Sequence, residues 1–102
     1  MSYIVMNVIT VPEDRRGEFE ERFATRAGQV KNNDGFEAFE LMRPTDGQDR
    51  FIVYTRWRDE AAFKAWVASP DFAAGHRQHS DKGPVGTASE MWTFDLIEGE
   101  YA

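Results

Sequence analysis

The sequence predicts an α+β fold in which helices cover one face of an antiparallel sheet, in the order β-α-β-β-α-α-β. Three observations carry that prediction. Segments near both ends and in the middle of the chain alternate apolar and polar residues at period two, as half-buried strands do. Between them, apolar residues recur at three- and four-residue steps, as amphipathic helices require. Clusters of Asn, Asp, Gly and Pro stand at the joints.

Tyr3 to Ile9 is the first strand, with Tyr3, Val5, Asn7 and Ile9 on one face and Ile4, Met6 and Val8 on the other. Asn7 is the polar member of an otherwise apolar face. Val11-Pro12-Glu13-Asp14 reads as a turn and helix start; Phe19, Phe23, Ala27 and Val30 then mark helix one, which ends before Asn32-Asn33-Asp34-Gly35. Phe36 to Arg43 and Phe51 to Arg58 are expected to form a hairpin across Pro44-Thr45-Asp46-Gly47. In the second of these strands Phe51, Val53, Thr55 and Trp57 share one side, and the other side is half polar, which predicts an open face.

Asp59 can cap a second helix with Phe63, Trp66 and Val67 on one face. Ser69-Pro70 opens a short third helix that carries Phe72 and His76, because Pro suits a first helical turn. After Gly83-Pro84 and Gly86, Thr87 to Ile97 is the final strand, with Ala88, Glu90, Trp92, Phe94 and Leu96 on one face. This order is ferredoxin-like, and it leaves one sheet face bare. A two-fold homodimer, packed sheet to sheet as a dimeric β-barrel, is the expected cover.

The 102 residues show no composition break, so one domain spanning 1–102 is expected. Hydrophobic residues make up 41%, including eight Phe, three Trp and three Tyr, enough to build a core. Absence of cysteine removes disulfides and thiolate metal sites and suggests a cytoplasmic setting. No run approaches the roughly 20 apolar residues that span a bilayer, so membrane insertion is not expected. The net charge of −6, with arginines interleaved among acids, argues against nucleic-acid binding.

No HExxH, Gly-rich phosphate loop or Ser-His-Asp order is present, so hydrolysis and nucleotide binding lack support. The only imidazoles are His76 and His79, and imidazole is a common ligand of iron. Read singly, His76 fits a surface histidine near a helix C-terminus better than a ligand, and the Phe63-Trp66-Phe72 set fits helix core better than a cofactor wall. Asn7 needs a hydrogen-bond partner among its apolar neighbours.

The joint pattern is more telling: Asn7 on strand one, Glu21-Arg22-Phe23-Ala24-Thr25-Arg26 on helix one, Gly35-Phe36, then Trp57, Phe63, Trp66 and His76. It resembles the small haem-degrading monooxygenases of the antibiotic biosynthesis monooxygenase superfamily, the IsdG-like group, over nearly the whole chain. In that group an Asn on strand one, a Trp on the second helix and a His ten residues later form the site; Asn7, Trp66 and His76 match those places.

The resemblance implies a haem oxygenase with haem b as both cofactor and substrate, using O₂ and an electron-donating reductase. By the same resemblance His76 is the proximal iron ligand, Trp66 presses on and distorts the porphyrin, and Asn7 donates a hydrogen bond on the oxygen side of the iron. Phe23 and Phe63 would be apolar walls of the cofactor site, and Arg26 would face a propionate, unless it is an ordinary surface ion-pair residue. The chain departs from the group at Gly75, often Ala in relatives, at His79, which adds a second imidazole, and in a short loop over Asp81 to Gly86. Two other readings remain: a cofactor-independent monooxygenase of the same superfamily acting on a quinol or phenol, and a non-enzymatic haem-binding protein.

Overall fold

The central strand is the first one. A computed structural model describes residues 1–26, 33–70 and 86–102, with backbone alone for Thr25 and Arg26. In it β1 (Tyr3–Thr10) pairs antiparallel with β3 (Arg50–Trp57) on one side and with β4 (Ala88–Asp95) on the other. β2 (Phe36–Met42) closes the order β2-β3-β1-β4, the ferredoxin-like arrangement expected from the element order. With a neighbour on each edge, β1 buries side chains on both faces: Val5 is 1% exposed on the helix-bearing face, and Ile4 and Val8 are 5% and 6% exposed on the other.

The start of α1 (Arg16–Arg26) differs slightly from expectation. A 3₁₀ turn over Glu13–Arg15 comes first, closed by the Arg15 N–H donating to the Pro12 carbonyl at 2.9 Å. Pro12, at φ −56°, lacks an N–H and sets the entry, so the α-helical ladder begins only at Arg16.

The β2-β3 hairpin forms as expected, but a bulge between Phe36 and Ala38 shifts its register. The extra residue lets Phe36, paired with Trp57, and Phe39, paired with Thr55, share the helix-bearing face although they are three apart. Gly35 leads into β2 at φ +82°, and a Cβ there would lie 2.5 Å from that of Ala62, so both conformation and space demand glycine.

α2 (Glu60–Val67) starts where expected, the Asp59 carboxylate accepting from the Ala62 N–H at 2.9 Å. Its inner line is Ala62, Phe63 and Trp66. Val67, expected on that line, is 40% exposed, because α2 lies over β1 and β3 with a narrow stripe ending at Trp66. β4 is shorter than the expected Thr87–Ile97, although Thr87 N still donates to Thr10 O and Leu96 N to Ser2 O at its two ends. The expected third helix, Phe72, His76, His79, the end of helix one and the loop over Asp81 lie outside the described residues.

The helix-bearing side holds two separate cores. Under α1, Val11, Phe19 and Phe51 are buried with Ile9, Phe23 and Leu41 packed around them. Under α2, Val5, Trp57 and Ala62 are buried among Tyr3, Phe36, Phe63 and Trp66. The opposite face carries no helix among the described residues, and on it Trp92 and Phe94 are 42% and 48% exposed. The C-terminal tail returns to the sheet through Tyr101, whose hydroxyl accepts from Arg56 at 3.3 Å while the guanidinium stands 5.9 Å from its ring. Among the described residues no helix is long and apolar enough to cross a membrane.

Candidate functional site

Register places Leu41, Val53, Asn7 and Met91 in one row across all four strands on the helix-bearing face. At Leu41 that row touches the α1 core. Val53 is buried, Asn7 half-buried and Met91 58% exposed, so the row opens toward solvent at the β4 side. The Asn7 carboxamide has no hydrogen-bond partner among the described residues. A primary amide offers two donors and an acceptor oxygen, so this floor presents polar hydrogen-bonding capacity amid apolar side chains.

One wall comes from α1. Phe23 lies 4.9 Å from Phe19 and 6.4 Å from Phe39, centroid to centroid, which joins the helix to β2. The Glu20 carboxylate, paired with Arg43, makes a second tie between the helix and the end of β2. This hydrogen bond holds the Glu20 carboxyl below its ordinary range and the Arg43 guanidinium above its own. Elsewhere on the helix, Glu18 accepts from Arg15 at 3.0 Å and from Arg22 at 2.9 Å. The Arg26 side chain lies outside the described residues.

The other wall comes from α2. Phe63 stands 5.8 Å from Trp57 and 6.0 Å from Tyr3, and the Trp66 ring lies 6.3 Å from that of Trp57 with 25° between their planes. Trp57 itself has no exposed surface. Its indole N–H donates to the Thr55 hydroxyl at 2.9 Å, and that hydroxyl donates onward to the Val5 carbonyl at 3.4 Å. The indole therefore meets the need of a buried N–H for a partner.

Four of the six residues singled out from sequence, Asn7, Phe23, Phe63 and Trp66, thus share the helix-bearing side, while His76 and the side chain of Arg26 fall outside the described residues. Sequence reasoning did not find Met91, which becomes a neighbour of Asn7 only through β1-β4 pairing. Nor did it assign Thr55 and Trp57 their places behind Trp66; a Thr two residues before a Trp on one strand face was the available signal. A hollow of about 180 Å³ touches Trp66 from the side of Asp34 and Arg58. It is smaller than the roughly 300 Å³ of ordinary ligand sites, and it does not include Asn7. Among the described residues no group of three or more His, Asp or Glu side chains is placed to hold a metal ion.

A sheet face that carries aromatic side chains under both helices and one half-buried amide between apolar neighbours suits contact with a flat hydrophobic ligand that needs one directed hydrogen bond. Residues 2–78 match the family model described as antibiotic biosynthesis monooxygenase. The chain belongs to the antibiotic biosynthesis monooxygenase family. Within that family it falls in the IsdG-like haem-degrading group: the haem oxygenase (mycobilin-producing) of Mycobacterium tuberculosis is 39% identical over 99 residues, covering 95% of this chain and 90% of the relative. The solved structure of the haem-degrader MhuD from the same organism, with two haems bound in its active site, matches at a TM-score of 0.82 and 36% identity over 97% of this chain and 99% of that one. The solved structure of a mutant of SnoaB, a cofactor-independent oxygenase from Streptomyces nogalater, matches at a TM-score of 0.77 and 26% identity over 96% of this chain and 95% of that one.

Proposed function

We propose that this chain, acting as one antibiotic biosynthesis monooxygenase domain over residues 1–102, is a haem-degrading monooxygenase. It takes haem b as substrate and cofactor, cleaves the porphyrin oxidatively with O₂ and electrons from an external reductase, and releases iron. The observation that carries the reading is the position of Asn7: a half-buried amide on the sheet face that carries aromatic side chains under both helices, in a chain 39% identical to a haem oxygenase.

The residues present fit such a ligand. Phe23 and Phe63 offer apolar contact to a flat ring, and the Asn7 amide, without a hydrogen-bond partner among the described residues, offers a donor to a polar group of the ligand. In the proposed roles His76 would hold the iron, Trp66 would pack against the porphyrin and Arg26 would pair with a propionate. Bound haem supplies the iron at which O₂ is activated and the meso carbons at which the ring opens. The chain's own part is to exclude water with the aromatic walls, to bend the ring with Trp66 and to direct oxygen with Asn7.

The reading includes a homodimer. The sheet face opposite the helices presents the half-exposed rings of Trp92 and Phe94, apolar surface of the kind a second copy covers in a two-fold pair.

Absorbance titration with haemin tests the ligand. A saturating Soret band in the wild type that is lost in His76→Ala supports the assignment, because removing the axial bond leaves mainly hydrophobic contact. The likeness to SnoaB favours a second reading, in which Asn7 and Trp66 bind a quinol or phenol without a cofactor; absence of a band from the wild type would select it.

A further inference from the structure

Trp66 is the residue on which ring distortion depends in the haem-degrading reading, so whatever fixes its ring plane bears on the chemistry. That ring lies nearly parallel to the ring of Trp57, the largest fully buried side chain of the described residues. Trp57 in turn has contacts on every side: Phe36 meets it edge-on at 5.6 Å and Phe63 edge-on at 5.8 Å, with Val5 and Ala62 in the same core. Close packing restrains the indole, and one directed hydrogen bond adds to that restraint, from Trp57 Nε1 to Thr55 Oγ1, with Thr55 itself tied to β1 through the Val5 carbonyl.

We propose that Trp57, oriented by Thr55, is a positioning residue that sets the ring plane of Trp66 and through it the shape imposed on a bound porphyrin. The porphyrin half of this inference rests on the haem-degrading reading; the Trp66 half does not. Trp57 has no exposed surface and touches no ligand, so it acts only through the stacked pair. Thr55 sits on β3 beside β1, two residues from Trp57 on the same face, so the sheet itself is the reference against which the indole plane is fixed. The remaining members of the α2 core, Val5, Ala62, Tyr3 and the two Phe residues, restrain the indole by packing, and the Thr55 hydroxyl adds the one directed hydrogen bond described for it.

Two indoles this close give an exciton couplet in the ultraviolet circular dichroism of the haem-free protein. Thr55→Val, which removes the acceptor, is expected to lose most of the couplet; Thr55→Ser, which keeps the hydroxyl, is expected to retain it; Trp57→Phe abolishes it. With haemin bound, Thr55→Val is expected to keep its affinity within about threefold of wild type, since Trp57 makes no ligand contact. Its out-of-plane porphyrin bands in resonance Raman spectra should weaken, and Thr55→Ser should restore them. A wild-type couplet in Thr55→Val overturns the lock on Trp66. A lost couplet with unchanged out-of-plane bands overturns its transmission to the porphyrin. No Soret band in the wild type overturns the haem reading and the porphyrin half together, while the couplet in the haem-free protein still decides the lock.

Discussion

Asn7 and Met91 are register partners across β1 and β4, on the face of the sheet that carries the helices. The pairing puts the half-buried amide next to the exposed thioether of Met91, one strand away. Asn7→Ala is therefore expected to bind haemin within about threefold of wild type yet degrade it about a hundredfold more slowly, the usual effect of deleting one preorganised donor. Single-turnover absorbance decay checks this, and wild-type decay would make Asn7 structural.

Dimerisation is tested on the opposite face. Phe94, register partner of Ile4, is 48% exposed there. Phe94→Glu is expected to weaken association by about 3 kcal/mol over the two copies, from lost apolar burial. Light scattering should show a dimer for the wild type and a shift toward monomer for the variant; a monomeric wild type would contradict the assembly.

α2 carries Phe63 and Trp66, and its first turn depends on the Asp59 cap. Asp59→Ala should cost about 1 kcal/mol in urea denaturation, with Asp59→Asn recovering most of it. An equal loss in both variants would move the effect to the Arg58–Asp59 ion pair instead.

Acid sensitivity follows from three carboxylates. Glu37 is held below its ordinary 4.5 first by the Ser2 hydroxyl and then by Arg56, Glu20 by Arg43, and Glu18 by Arg15. A carboxyl whose pKa falls on folding contributes its full stabilisation above the unfolded value and loses it as pH drops through the folded one. The contribution of these three carboxylates should therefore be constant above 4.5 and decline as pH falls below it. Because Glu37 is exposed, solvent screens its share to a small one, which 1 M salt should reduce further and Glu37→Gln should remove. A decline as steep in that variant as in the wild type would place the sensitivity elsewhere.

Strand faces were legible because period-two alternation is local: the common face of Tyr3, Val5, Asn7 and Ile9 is a property of consecutive residues. The Asp59 cap was legible for the same reason, one carboxylate three residues from the N–H it accepts. The Phe36/Ala38 bulge was not, since it depends on how β2 meets β3 and disguises Phe36 and Phe39 as residues of opposite faces. The neighbour relation of Asn7 and Met91 likewise spans most of the chain and exists only once β4 pairs with β1. For the candidate site, side-chain type pointed to Asn7, Phe23, Phe63 and Trp66, whereas the supporting Thr55–Trp57 bond looked like ordinary strand until the α2 core was assembled around it.

The most direct test of the central claim is to load the purified protein with haemin, add ascorbate in air with catalase present, and follow the Soret band alongside chelatable iron. Haem degradation predicts that the band decays while iron is released. A band that persists unchanged, with no iron freed, would contradict it and leave a protein that binds haem without breaking it.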